Sequence, residues 1–127
     1  MNILVDRKSN TGSHRAFMRA GQEIENGSSV IIFPEGTISR DAPKLKPFKN
    51  GAFRLAIDKQ VEIVPITFIH AWKRLQDMPF LQGKAGPGKV KIVVHAPIST
   101  LGLTEANQDE LKQKVRNCID ITLQTND

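Results

Sequence analysis

Residues 33–40 read FPEGTISR and place a carboxylate (Glu35), a glycine (Gly36), two hydroxyls (Thr37 and Ser39) and a guanidinium (Arg40) on one short loop. That set suits an anion, because glycine lets backbone N–H groups approach closely while hydroxyls and a charged fork donate to the same ligand. Glu35 is the odd member. A carboxylate facing a phosphate would repel it, so Glu35 must either organise the basic groups or accept a hydrogen bond from a ligand hydroxyl. Taken alone, Pro-Glu-Gly-Thr also reads as an ordinary turn.

The charge distribution follows the loop. The chain of 127 residues carries a net charge of +5, and residues 36–60 hold six basic against two acidic side chains, whereas 101–127 hold three against five. Such clustering attracts phosphate groups, nucleic acid or anionic lipid, although a merely solvated surface has the same composition. The chain contains no tyrosine and few clustered aromatics, which argues against base stacking and hence against nucleic acid.

With 39% hydrophobic and 24% charged residues, the composition is that of an ordinary globular domain, and the length suits one modest core. No apolar run approaches the roughly 20 residues needed to span a bilayer, and MNILVDRKSN lacks the long apolar core of a secretion signal. A single cysteine, Cys118, rules out an internal disulfide and fits a reducing compartment. The expected location is cytoplasmic.

The loop needs elements to hold it. Ile3 to Val5 fits a short strand, and Ser13 is placed to cap a helix that carries Ala16, Phe17, Ala20 and Ile24 on one side and closes at Asn26-Gly27. Val30 to Phe33 is continuous and β-branched, the pattern of a fully buried strand, so strand, helix and strand form a βαβ unit with FPEGTIS beyond the strand's carboxyl end. Gly51 to Lys59 suits a helix with Phe53, Ala56 and Ile57 inward. Val61 to Ile69 is a strand in which Pro65 implies a bulge or an edge. Residues 83–88 are glycine-rich and break regular structure, and Lys89 to His95 alternates as a strand. Leu111, Val115, Cys118, Ile119 and Leu123 fall on one face of a final helix, capped by Thr104 or Asn107. The expected fold class is α/β, a mixed sheet with helices packed on it, in one domain over 1–127.

Three blocks in order, Phe33-Pro34-Glu35-Gly36-Thr37 with Ser39, then FKNGAFRLA (Phe48 to Ala56), then VPI (Val64 to Ile66), resemble the glycerolipid acyltransferases of the lysophosphatidate acyltransferase type. Val5-Asp6-Arg7 resembles that family's preceding motif, whose arginine contacts the acceptor phosphate. The resemblance runs from the first residues through at least Pro97. It implies that Arg7 pairs with the phosphate of a lysophosphatidate-like acceptor, where lysine would be a poor substitute, and that Glu35, Gly36 and Thr37 hold the glycerol-phosphate portion. Many members carry arginine where this chain has Ile38; Arg40, two residues on, is the candidate to take over that charge. The implied substrate-binding set is therefore Arg7, Glu35, Gly36, Thr37, Ser39 and Arg40. The implied partners are a lysophospholipid acceptor and acyl-CoA or acyl-carrier protein as co-substrate, with no cofactor and no metal.

In that family a His-x-x-x-x-Asp pair supplies the general base, the histidine deprotonating the acceptor hydroxyl while the aspartate orients the imidazole. Five residues after His14, His70 and His95 stand Arg19, Leu75 and Thr100, so no catalytic residue is assigned here. Because the pair precedes the arginine block in the family and only six residues precede Arg7, the expectation is a partial domain that begins inside the fold and is inactive alone. Its own histidines are expected to be structural or surface groups. The alternative reading is a non-catalytic basic module that binds phosphate-bearing lipid or nucleic acid. Ala71 to Leu81, AWKRLQDMPFL, mixes apolar and basic residues in a way that suits either a membrane interface or core packing. Peripheral contact at the inner face of the cell membrane follows from the former.

Overall fold

A computed structural model describes residues 10–37, 42–74 and 86–126. The described residues form three helices and a small antiparallel ladder, with α3 against β1: α1 (Asn10–Glu25), α2 (Gly51–Lys59), β1 (Ile66–Ile69), β2 (Lys91–Val94) and α3 (Gln108–Thr125), with 3₁₀ turns at Ala71–Lys73 and Glu105–Asn107. The α/β class expected from the sequence holds.

The first helix begins three residues before Ser13, so Ser13 lies inside it and does not cap it. Ala16 and Ala20 are buried as the pattern requires. Small side chains let α2 approach: a Cβ built on Gly21 would stand 2.9 Å from Lys59 Cε and 3.7 Å from Leu55 Cδ1. The helix closes as expected at Gly27, whose φ of 82° lets the Gly27 and Ser28 amides turn back to the carbonyls of Ile24 and Glu23 at 3.0 and 2.9 Å. Lys59 pairs with Glu25 across the two helices, and the Arg54 guanidinium lies 5.9 Å from the Phe17 ring centroid.

The second helix matches its sequence pattern from end to end. Phe53, Leu55, Ala56 and Ile57 are buried, and Phe53, Ile57, Leu111, Val115 and Phe48 form the core, with Leu45, Ile63, Ile98, Leu103 and Ile119 against it. The Phe48 and Phe53 rings stack at 6.3 Å. At its end Gln60 adopts a left-handed φ of 50°, uncommon for a side chain with a Cβ. Its amide group offsets that cost, because Nε2 donates to the carbonyls of Ile57 and Leu103 at 2.7 and 3.1 Å and Oε1 accepts from the Gly102 amide at 2.7 Å. Beside it Thr100, fully buried, has its hydroxyl 2.9 Å from the Val61 carbonyl and 3.2 Å from that of Ala56.

The strands are shorter than the apolar runs that announce them. Ile66 pairs with Val94 and Phe68 with Ile92, while Ile63 makes only an isolated bridge to Ile98. Between the two, Pro65 has no N–H to give; its carbonyl accepts from His95 at 3.0 Å, so the ladder is interrupted where proline predicts. Thr67 and Ile69 point inward, and Ile66, Phe68, Ile92 and Val94 form an exposed apolar face.

A second expectation, after the Ser13 cap, is overturned. Val30 to Phe33 is not a buried strand: it forms no ladder, and Ile31 and Phe33 are 77% and 72% exposed. An apolar run becomes a strand only when a partner takes up its N–H and C=O groups, and among the described residues none does so here. The Phe33 carbonyl instead accepts from Gly36 in the turn that follows. Among the described residues no βαβ unit is formed, and the ladder is antiparallel. The companion strand expected at Ile3 to Val5 lies outside the described residues.

The last helix follows its pattern: Leu111 and Val115 are buried, and Cys118, Ile119 and Leu123 half-buried. Thr104 starts the preceding 3₁₀ turn, its amide donating to Asn107 Oδ1 at 3.0 Å while the Asn107 amide donates to the Thr104 carbonyl at 2.9 Å. Asp109 and Glu110 occupy the first turn of α3, where negative charge is favoured.

Candidate functional site

Proline and glycine shape the loop between α1 and α2 at its first corner. Phe33 to Gly36 closes a turn through the Gly36 amide and the Phe33 carbonyl at 3.1 Å, with proline at the position that presets φ and glycine at the end. Gly36 has φ 69°, a left-handed conformation that favours glycine. The nearest atoms to a Cβ built there are Lys49 Cγ at 3.6 Å and Cε at 3.8 Å. The Lys49 chain thus runs at contact distance along the side of Gly36 where a Cβ would project.

A second strand of backbone, residues 45–49, holds this corner from behind. The Lys49 amide donates to the Pro34 carbonyl at 2.7 Å, and the Lys46 amide donates to Glu35 Oε2 at 2.7 Å. That contact gives Glu35 a backbone partner and not one of the basic side chains. One carboxylate oxygen is used to tie residues 34–37 to 45–49, and the other keeps its capacity to accept.

Residues 45–49 are in turn tied to α3. Arg116 donates from its two terminal nitrogens to the carbonyls of Lys46 at 2.7 Å and Leu45 at 3.1 Å, and its guanidinium sits 5.5 Å from the Phe48 ring centroid. Phe48 is buried in the core. One turn back on the helix, Lys112 Nζ reaches Asn50 Oδ1 at 2.9 Å and Asp109 Oδ1 at 2.7 Å. A cavity of about 290 Å³ opens among Pro47, Phe48, Lys112, Gln113 and Arg116, next to the segment that carries Lys46 and Lys49.

Of the six predicted site residues, Glu35, Gly36 and Thr37 stand together on this corner, with Glu35 and Gly36 half-buried and Thr37 exposed. Arg7, Ser39 and Arg40 lie outside the described residues. Two participants had no signal in the sequence. The Lys46 amide is a backbone group, which no residue type advertises, and Arg116 sits 70 residues from Lys46 on a helix whose charged positions read as solvated surface.

The histidines have structural settings. His14 is exposed on α1 and His70 takes a left-handed φ of 62° at the head of a 3₁₀ turn. His95 Nε2 lies 2.8 Å from the hydroxyl of buried Thr67. Trp72 is half-buried with Lys73 Nζ 5.2 Å from its ring centroid, while the rest of its apolar run, Leu75 to Leu81, lies outside the described residues. Among the described residues no helix is long and apolar enough to cross a membrane.

Comparison with known proteins places these features in a wider setting. A family model described as Acyltransferase matches residues 1–69. The chain is 39% identical over 80 residues to the chloroplastic 1-acyl-sn-glycerol-3-phosphate acyltransferase of Brassica napus, covering 63% of this chain and 22% of that one. It is 33% identical over 118 residues to the alpha 1-acyl-sn-glycerol-3-phosphate acyltransferase of Mus musculus, covering 91% of this chain and 40% of that one. Among solved structures, the PlsC 1-acyl-sn-glycerophosphate acyltransferase from Thermotoga maritima superposes with a TM-score of 0.72 at 28% identity, over 89% of this chain and 44% of that one. The chain thus spans less than half the length of these relatives.

Proposed function

The chain belongs to the Acyltransferase family, and we propose that it forms the acceptor-binding part of a 1-acyl-sn-glycerol-3-phosphate acyltransferase. The reaction is transfer of an acyl group from acyl-CoA or acyl-carrier protein to the free hydroxyl of a lysophosphatidate-like acceptor. The observation that carries this reading is the corner at 33–37, where a left-handed Gly36 and a tethered Glu35 are held in one geometry by backbone bonds from Lys46 and Lys49. A binding loop fixed before its ligand arrives loses less freedom on binding.

In this reading Gly36 and Thr37 take the glycerol-phosphate portion, Gly36 by the turn that its amide closes and Thr37 with its hydroxyl as donor, and Glu35 accepts from an acceptor hydroxyl through the oxygen that Lys46 leaves free. Arg7 pairs with the phosphate as a two-pronged donor, and Ser39 and Arg40 add to the anion site. The basic excess over 36–60 steers the anionic acceptor toward the corner. The chain contains no His-x-x-x-x-Asp pair, so by itself it binds the acceptor without acylating it. It acts on the cytoplasmic side, peripherally at the membrane that holds its lipid substrate.

Titration calorimetry with a short-chain lysophosphatidate, which stays monomeric in solution, tests this. Saturable binding that Arg7→Ala weakens by about tenfold or more is expected, as for a lost charge-assisted contact. Equal affinity in both proteins, or binding that duplex DNA competes away, overturns the assignment.

A further inference from the structure

Nothing in the relation between Glu35 and Lys46 requires a helix whose Arg116 stands 70 residues beyond Lys46, yet the hydrogen bonds lead there. Glu35 Oε2 accepts from the Lys46 amide, the Lys46 carbonyl accepts from Arg116, and Arg116 rises from the middle of α3. Leu45, the next residue back, gives its carbonyl to the same guanidinium.

We propose that Arg116 is a positioning residue for the acceptor site, the clamp through which α3 sets the height and orientation of residues 45–49 and hence of Glu35 and Gly36. The proposal rests on the acceptor-binding reading above. It concerns how that site is built, not which groups touch the ligand.

Three features support a specific clamp and not general packing. First, the two carbonyls belong to successive residues, and the planar guanidinium serves both at once, which the single ammonium of lysine matches poorly. Second, the guanidinium also faces the Phe48 ring, so the side chain is constrained on its face as well as at its donors. Third, the peptide group between Leu45 and Lys46 is used in both directions, its N–H toward Glu35 and its C=O, that of Leu45, toward Arg116. Moving that peptide plane therefore disturbs both bonds together. Removing the guanidinium frees the plane to rotate, and the Glu35 tether weakens although Glu35 itself is unchanged.

The core gives the comparison its control. Leu111 and Val115 anchor α3 to Phe53 and Ile57, and Arg116 is not among the buried core residues, so α3 stays docked without its charge.

Amide hydrogen exchange and lysophosphatidate calorimetry on the same three proteins, the parent, Arg116→Met and Arg116→Lys, test the clamp. In Arg116→Met the Lys46 amide is expected to exchange about tenfold faster, the scale of one lost charge-assisted bond. The Leu111 and Val115 amides should exchange as in the parent, and short-chain lysophosphatidate should bind about tenfold more weakly. Arg116→Lys should restore part of both effects and covers the case in which the methionine variant unfolds. Unchanged Lys46 exchange in both variants overturns the clamp, as does faster exchange with undiminished affinity. A parent that fails to bind lysophosphatidate overturns the acceptor-binding reading and this inference with it, and is recognised from the parent alone.

Discussion

Replacing Gly36 by alanine separates the backbone requirement of the corner from its side-chain contacts. A Cβ at that position meets only Lys49 Cγ and Cε, at 3.6 and 3.8 Å, which is ordinary contact, so sterics with neighbours contribute little. The cost lies in the φ of 69°, worth about 1–2 kcal/mol for a residue with a Cβ. Gly27, which closes α1, provides the matched control, with φ 82° and nothing within 4 Å of its virtual Cβ. Gly27→Ala and Gly36→Ala should each lower the thermal midpoint by roughly 3–12 °C for a domain of this size. Only Gly36→Ala should also weaken short-chain lysophosphatidate binding, because relief of strain there opens the turn that the Gly36 amide closes and moves Glu35 and Thr37. Asparagine tolerates the left-handed region better than alanine, so Gly36→Asn should recover most of the stability. Equal loss of ligand affinity in the two alanine variants would refute the reasoning, and so would a Gly36→Ala protein as stable as the parent.

Two further outcomes follow from the fold. Thr100→Val keeps the shape of a fully buried side chain but removes the hydroxyl from the Val61 and Ala56 carbonyls; it should cost about 1–2 kcal/mol in urea denaturation, and a value near zero would mean that those carbonyls find other donors. The exposed apolar pairs Ile66–Val94 and Phe68–Ile92 should drive self-association, so light scattering should show oligomers that Phe68→Lys and Val94→Lys disperse; a monodisperse parent would contradict this.

The helices were legible and the sheet was only partly so, for one physical reason. A helix satisfies its backbone within itself, so the spacing of Ala16 and Ala20, of Phe53, Ala56 and Ile57, or of Leu111 and Val115 states both the element and its buried face. A strand satisfies its backbone with another segment, and nothing local to Val30 to Phe33 says whether that segment is at hand. The same run of apolar residues that promised a buried strand is instead among the most exposed in the molecule. Pro65 was more informative, because a missing N–H is a local fact with a non-local consequence, and the ladder breaks beside it.

The candidate site divides along the same line. Proline and glycine around Glu35 announce a turn through their own restrictions on φ, and Gly36 takes the conformation that only its lack of a Cβ makes easy. What holds the turn was hidden, since the Lys46 and Lys49 amides and the Leu45 and Lys46 carbonyls are groups that every residue possesses. Only the geometry selects which of them are used. Glu35 shows the consequence most directly. In the sequence its carboxylate looked misplaced beside an anion site, with two roles open to it. Once a backbone N–H is seen to take one oxygen, the misplaced charge becomes the tie between the turn and residues 45–49. The turn therefore uses position 35 as an acceptor for a backbone N–H, and exchanging Glu35 for glutamine would keep an acceptor for Lys46 while weakening it from a charged to a neutral bond.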